Sequence, residues 1–176
     1  MSKTLIGQDW YITVHNLCKN LSKTYNVPFE SVVGILVSLS AQKSWKWNIR
    51  QTIEFLKGKK LNGMVSQVQL RSCKRILFGG ENPPDVWNKR SFKYRNFYAC
   101  ILNPNDPDPV CVDTHMINWY VSKYPNTRIE PHKVFTNERY YTVIQKAIRK
   151  EAQTYNIIPS QYQAILWVRQ RNGVSF

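Results

Sequence analysis

A chain of 176 residues is long enough for one buried core or for two small lobes, and a hydrophobic fraction of 43% excludes general disorder. Lysine and arginine number 25 against 11 acidic residues, which gives a net charge of +14 and a pI of about 9.8. This charge balance favours a nucleic-acid partner. An anionic membrane surface, or solubility alone, is the alternative interpretation.

Signals for membrane insertion, export and metal binding are absent from the sequence. No segment has the about 18 apolar residues of a membrane span, and residues 1–9 lack the hydrophobic core of a signal peptide. We therefore expect an intracellular protein, cytoplasmic and nucleoid-associated, without a membrane partner. The four cysteines are widely spaced with no C-x-x-C pair, which favours buried free thiols over a metal or iron–sulfur site. No cofactor is expected.

Apolar spacing in the first half of the chain predicts helices only. The predicted helices span residues 10–25 after Asp9, a segment from Pro28 through the all-apolar run 32–37, a segment with Ile49, Ile53 and Leu56 that stops at Gly58, and about 65–77 before Gly79-Gly80. Because the run 32–37 is apolar on every side, the second helix should be central and buried.

The second half continues the helical pattern. Predicted elements are a short turn of helix from Pro83-Pro84 to Trp87, then helices at 91–102, 116–123, about 137–155 and 160 to about 170, with a Pro-rich loop at 103–109. In the 137–155 helix the predicted inward residues are Tyr140, Ile144, Ala147, Ile148 and Ala152. No hairpin of alternating strands is found, so the predicted fold class is all-α.

The segment from Leu39 to Trp47 combines features that suit contact with DNA. Gln42 is neutral, forms two-sided hydrogen bonds and is able to enter a gap in a duplex. Trp45 and Trp47 stand among Lys43 and Lys46, an arrangement that suits stacking on a base beside a phosphate. The alternatives are an ordinary helix end for Gln42 and core positions for both tryptophan rings.

The segment 88–98 places cations at the start of a predicted helix. Exposed N–H groups of that helix would bind a phosphate, and the candidate DNA-binding residues there are Lys89, Arg90, Ser91 and Arg95. Lys93 lies in the first turn. If Trp87, Phe92 and Phe97 enclose it, desolvation would make its amine a nucleophile; otherwise it is a solvated phosphate-binding lysine.

The sequence Val110-Cys111-Val112-Asp113-Thr114-His115 ends an apolar run at the predicted start of a helix. An aspartate at an N-cap accepts backbone N–H bonds, and its charge is favoured by the helix dipole. A fixed carboxylate there would stabilise a sugar that becomes cationic. A plain helix cap is the alternative. The loop that returns from the Lys93 helix should bring the starts of the two helices close together.

These three segments, in this order, resemble the helix-hairpin-helix DNA glycosylase superfamily, closest to its endonuclease III branch and its small phage-type variants without an iron–sulfur cluster. In that family a Leu-Ser-Ala-Gln segment begins the DNA-probing region, a hairpin leads to the helix with the reactive lysine, and a Val-Asp-Thr-His segment holds the essential aspartate. The matching segments are Leu39–Gln42, Lys93 and Val112–His115, within about residues 28–124. The family's hairpin glycines are replaced here by Asn88–Phe92.

The resemblance implies one domain of two helical lobes, with 25–112 as a helical barrel lobe containing the hairpin and 1–24 plus 113–176 as the second lobe. It implies a monomeric hydrolase that acts on double-stranded DNA, flips out a base and hydrolyses its N-glycosidic bond. Hydroxymethylated or glucosylated pyrimidines are candidate substrates, and base excision or phage defence is the candidate role. Asp113 and Lys93 would be catalytic, the latter with an associated AP-lyase step, and Trp45, Trp47 and His115 would line the base pocket.

Two other classes of function fit the same residues. A base-modifying transferase on this scaffold would flip the base but leave the glycosidic bond intact, and it would need a co-substrate. A non-catalytic DNA-binding module would use Asp113 as a helix cap only. Both alternatives predict salt-dependent DNA binding, and neither predicts an abasic product.

Overall fold

The structure is a computed structural model that describes residues 6–41, 43–61 and 64–171. Within these ranges all secondary structure is helical, which confirms the predicted all-α class. The helices are α1 (Trp10–Tyr25), α2 (Phe29–Ser38), α3 (Trp45–Leu56), α4 (Gln67–Leu77), α5 (Pro83–Val86), α6 (Phe92–Leu102), α7 (Thr114–Lys123), α8 (Glu138–Thr154) and α9 (Pro159–Gln170), with a short 3-10 helix at Pro131–Lys133.

The chain forms two compact units. One comprises the described residues between 14 and 89 and is called the α2–α5 unit; the other comprises residues 6–13 and 90–171 and is called the α6–α9 unit. Helix α1 crosses the division, with residues 10–13 in the α6–α9 unit and residues 14–25 in the α2–α5 unit.

Helix α2 is the centre of the α2–α5 unit, as its all-apolar run predicts. It packs against α3, α4 and α5, and every residue from Val32 to Ser38 is buried. Gly34 permits the close approach of α5, because a Cβ atom at this position would lie 2.5 Å from the Pro83 ring. The Trp87 indole donates a hydrogen bond to the Ser38 hydroxyl at 3.0 Å and so closes the end of the helix.

Serine caps determine where α3 and α4 begin. The Ser44 hydroxyl accepts a hydrogen bond from the Trp47 N–H at 3.3 Å at the start of α3. Ser66 and Gln69 form a reciprocal capping box, so α4 begins at Gln67 rather than near residue 65 as predicted. The cap satisfies N–H groups that the first turn of a helix otherwise leaves without acceptors.

Helix α8 is packed against α7 and α9 in the α6–α9 unit. Its buried face consists of Tyr141, Ile144, Gln145, Ile148 and Ala152. The prediction that Tyr140 and Ala147 face inward is only partly right, since both are partly buried. The stripe centred on Ile144 continues at spacings of three and four residues, which places positions 141 and 145 inside and 140 and 147 at its edges.

Candidate functional site

Asp113 caps helix α7, as the sequence predicts. Val110, Cys111 and Val112 are buried just before it, and Asp113 has the extended backbone of an N-cap residue. Its Oδ1 accepts a hydrogen bond from the Met116 N–H at 3.0 Å. The other carboxylate oxygen, Oδ2, accepts none from the part of the chain that the structure describes. The cap therefore holds the carboxylate in place through Oδ1.

Lys93 lies in the same unit, on the first turn of α6, and its side chain is partly buried. Its backbone carbonyl accepts a hydrogen bond from the Cys111 thiol at 3.8 Å. Burial raises the pKa of Cys111 well above its ordinary value, with the Lys93 charge lowering it and the Asp113 charge raising it. Both charges thus act on one buried thiol, although Lys93 and Asp113 form no ion pair among the described residues.

Two buried tyrosines of the same unit, Tyr11 and Tyr141, were not predicted from the sequence. Burial, followed by smaller electrostatic contributions that include the Asp113 charge, raises the pKa of Tyr11 and of Tyr141 well above the ordinary value. The Tyr11 hydroxyl donates to Gln163 Oε1 at 2.8 Å, and the Tyr141 hydroxyl accepts from the Val112 N–H at 2.9 Å. Asp113 itself is only partly buried.

Replacing Tyr141 by Phe is expected to lower the free energy of unfolding by about 1–3 kcal/mol, because the buried Val112 N–H loses its acceptor. Urea denaturation of wild type and variant measures the difference. Tyr155→Phe is the matched control, since Tyr155 is 51% exposed. Equal stability of Tyr141→Phe and wild type would show that this hydrogen bond does not hold the segment.

His115 is on the first turn of α7 and is held by α9. Its Nδ1 lies 3.3 Å from Gln170 Oε1, Gln170 Nε2 donates to the His115 carbonyl at 3.0 Å, and the imidazole meets the Trp167 ring edge-on. The imidazole is therefore oriented by α9 within the α6–α9 unit.

The α6–α9 unit also contains Arg90, Ser91 and Arg95. Arg90 is exposed and Arg95 is partly buried. Ser91 is the N-cap residue of α6, but its side chain makes no capping hydrogen bond. A helix N-terminus favours an anion such as phosphate, and Arg90 lies just before this one.

The remaining predicted residues belong to the α2–α5 unit. Trp45 is buried and Trp47 is partly buried. The Lys43 ammonium lies 5.0 Å from the centroid of the Trp47 ring. Lys46 and Lys89 are exposed. Gln42 lies outside the described residues. In this unit the Lys43 ammonium therefore lies over the Trp47 ring. A cation next to an aromatic ring is suited to binding a phosphate while the ring stacks on a base.

No group of three or more His, Cys, Asp or Glu residues that could hold a metal ion lies among the described residues. No helix of those residues is long and apolar enough to cross a membrane. Cys18, Cys73, Cys100 and Cys111 are free and buried, as their spacing predicts.

The described residues define an all-helical protein with an N-cap aspartate at the start of α7 and a lysine in the first turn of α6. The chain belongs to the family of unknown function DUF7178, whose family model matches residues 2–174. No curated protein and no solved structure matches the chain.

Proposed function

We propose that this protein is a DNA glycosylase of the helix-hairpin-helix type, which flips a base out of DNA and hydrolyses its N-glycosidic bond. The observation that carries the proposal is the Asp113 carboxylate. It is held at the start of α7 through Oδ1, in the same unit as Lys93 on the first turn of α6. The high positive charge of the chain supports DNA as the partner.

Asp113 stabilises the deoxyribose as the glycosidic bond breaks. The C–N electron pair leaves on the base nitrogen, which takes up a proton, and the sugar gains oxocarbenium character as in glycoside hydrolysis generally. A carboxylate that is already oriented stabilises this developing positive charge without reorganisation. Water then bonds to the sugar carbon and gives up a proton, which leaves an abasic site.

The α6 start and the α2–α5 unit provide the candidate contacts to DNA. In the α6–α9 unit, Arg90 and the first turn after Ser91 bind a backbone phosphate. In the α2–α5 unit, Lys43 with Trp47 binds a phosphate and stacks on a base. Candidate substrates remain hydroxymethylated or glucosylated pyrimidines, as the resemblance to small phage-type glycosylases implies.

Incubation of the protein with a panel of DNAs tests the proposal. The panel contains natural bases and hydroxymethylated or glucosylated pyrimidines, and alkali treatment followed by gel electrophoresis reveals abasic sites. Alkali-dependent breaks in one DNA of the panel support a glycosylase. Intact DNA throughout, with the DNA bound, contradicts it; turnover of an added co-substrate would then identify a transferase.

One observation favours the non-catalytic alternative as the second candidate function. The Asp113 side chain forms a complete N-cap interaction with Met116, which is sufficient reason for an aspartate at this position. In a silent DNA-binding module, the affinity of Asp113→Asn for DNA would equal that of wild type, and neither protein would produce abasic sites.

Water rather than Lys93 is the expected nucleophile, since the segment before Lys93 lacks the glycines of the related hairpins. We expect borohydride to trap no covalent complex, and we expect Lys93→Ala to slow base release by no more than about tenfold, ~1.4 kcal/mol in barrier. Gel analysis of borohydride-treated reactions checks this, with Lys89→Ala as the control. A trapped complex that is lost in Lys93→Ala but kept in the control would instead make Lys93 the nucleophile.

A further inference from the structure

Helix α8 contacts the segment that leads to Asp113 at regular intervals. Side chains spaced one turn apart on α8 bind backbone groups of every second residue of the segment. The pairs are Tyr141 with the Val112 N–H at 2.9 Å, Gln145 with the Val110 carbonyl at 2.9 Å, and Arg149 with the Asp108 carbonyl.

The two spacings are compatible, with residues 107 and 108 in a bend and residues 109–113 free of turns and bends. Four residues of an α-helix advance by about 6 Å, and two residues of an extended chain advance by about 6.6 Å. Because these two distances are nearly equal, side chains four residues apart on α8 can reach every second residue of the segment. A shift of the segment by one residue would break all three contacts, so α8 fixes the register of the chain that ends at Asp113.

Gln145 extends this arrangement to the helix that carries Lys93. Its Nε2 also donates to Asn96 Oδ1 at 2.9 Å, and the same oxygen accepts from the Val110 N–H at 3.4 Å. Asn96 Nδ2 donates to the Phe92 carbonyl at 2.8 Å, one residue before Lys93. One hydrogen-bonded network thus joins the first turn of α6, the segment that leads to Asp113 and α8.

The network requires amide side chains. Gln145 is 9% exposed, and its Nε2 donates to Asn96 Oδ1 and to the Val110 carbonyl. The Asn96 side chain donates through Nδ2 and accepts two hydrogen bonds through Oδ1. A carboxylate provides no donor, and an apolar side chain of the same shape provides neither function. Because the Val110 backbone groups are buried, they need these partners.

We infer that Gln145 and Asn96 are positioning residues, which set the Asp113 carboxylate relative to Lys93 and the reacting sugar. This inference rests on the proposed glycosylase function. The reaction is sensitive to such placement, since an error of about 1 Å in the position of a catalytic group costs about 10²-fold in rate. Neither residue needs to touch DNA.

Gln145→Met tests the inference, because methionine keeps the shape of the side chain and removes its hydrogen bonds. The expected result is a single-turnover rate of base release about 10²-fold below wild type, with the Kd for the same DNA unchanged. Gln153→Met, the same change at an exposed position of α8, should match wild type in both measurements. A wild-type rate in Gln145→Met would overturn the inference.

Two further measurements keep the test decisive. Hydrogen–deuterium exchange should show faster exchange of residues 110–113 in Gln145→Met while α9 keeps its protection, and unchanged exchange there would overturn the inference. If Gln145→Met does not fold, Asn96→Ser removes the other amide of the pair instead; a wild-type rate in that variant would also overturn the inference. If the wild-type protein releases no base from any DNA, the glycosylase proposal fails first and the catalytic role of the pair falls with it.

Discussion

Asp113→Asn is expected to lower the rate of base release by about 10²–10³-fold while helix α7 stays folded. Asparagine is as good an N-cap as aspartate, and its side-chain oxygen can still accept the Met116 N–H. The substitution therefore keeps the shape of the cap and removes its charge. Loss of the favourable interaction with the helix dipole should cost only about 0.3–1 kcal/mol of stability.

Alkali-dependent DNA breakage under single-turnover conditions measures the effect, together with DNA affinity and a urea denaturation curve. Asp108→Asn is the matched control, because it removes the same charge from an exposed position in the preceding loop. Asp113→Ser is a second variant that keeps an N-cap side chain and removes the charge, since serine also caps helices well. Base release at the wild-type rate in Asp113→Asn would remove Asp113 from the mechanism and leave it as a helix cap.

The second large effect is expected in the salt dependence of DNA binding. Five cations are the candidate phosphate contacts, namely Lys43, Lys46, Lys89, Arg90 and Arg95. Five such contacts predict a slope of about −4.5 in a plot of log affinity against log salt concentration, hence a loss of about 500-fold in affinity between about 50 and about 200 mM salt. Fluorescence anisotropy with labelled duplex DNA measures this slope.

Lys89→Ala should reduce the magnitude of the slope by about one unit, because one phosphate contact is removed. Lys133→Ala is the control, since its ammonium lies 2.8 Å from Glu130 Oε2 in an ion pair. An affinity that does not depend on salt would contradict DNA binding through these cations. An equal change of slope in both variants would show that net charge, rather than Lys89 itself, determines the affinity.

The parts of the fold that local sequence determines could be predicted. The helix limits follow from proline, glycine and capping residues. The Asp113 cap is also determined locally, because its partner Met116 is only three residues away. The start of α4 was also available from the sequence, since Ser66 and Gln69 have the spacing of a capping box. Apolar periodicity alone placed that start two residues too early.

The network around Gln145 could not be predicted in the same way. A glutamine in a helix is expected on the solvent side unless a partner is known, and its partners Asn96 and Val110 are far away in the chain. One signal was present. Gln145 occupies the stripe of Ile144, Ile148 and Ala152, and a polar residue in such a stripe indicates a buried hydrogen-bonding partner.

Each unit contains two buried cysteines, and the rate at which a reagent alkylates them measures how often that unit opens. Cys18 and Cys73 belong to the α2–α5 unit, and Cys100 and Cys111 to the α6–α9 unit. Burial raises the pKa of Cys18, Cys73 and Cys100 to about 12, and that of Cys111 well above its ordinary value, so these thiols remain protonated at neutral pH. Iodoacetamide therefore modifies them only when the surrounding structure opens. The alkylation rates of the four peptides, read by mass spectrometry, then measure the opening of each unit separately in the unlabelled native chain.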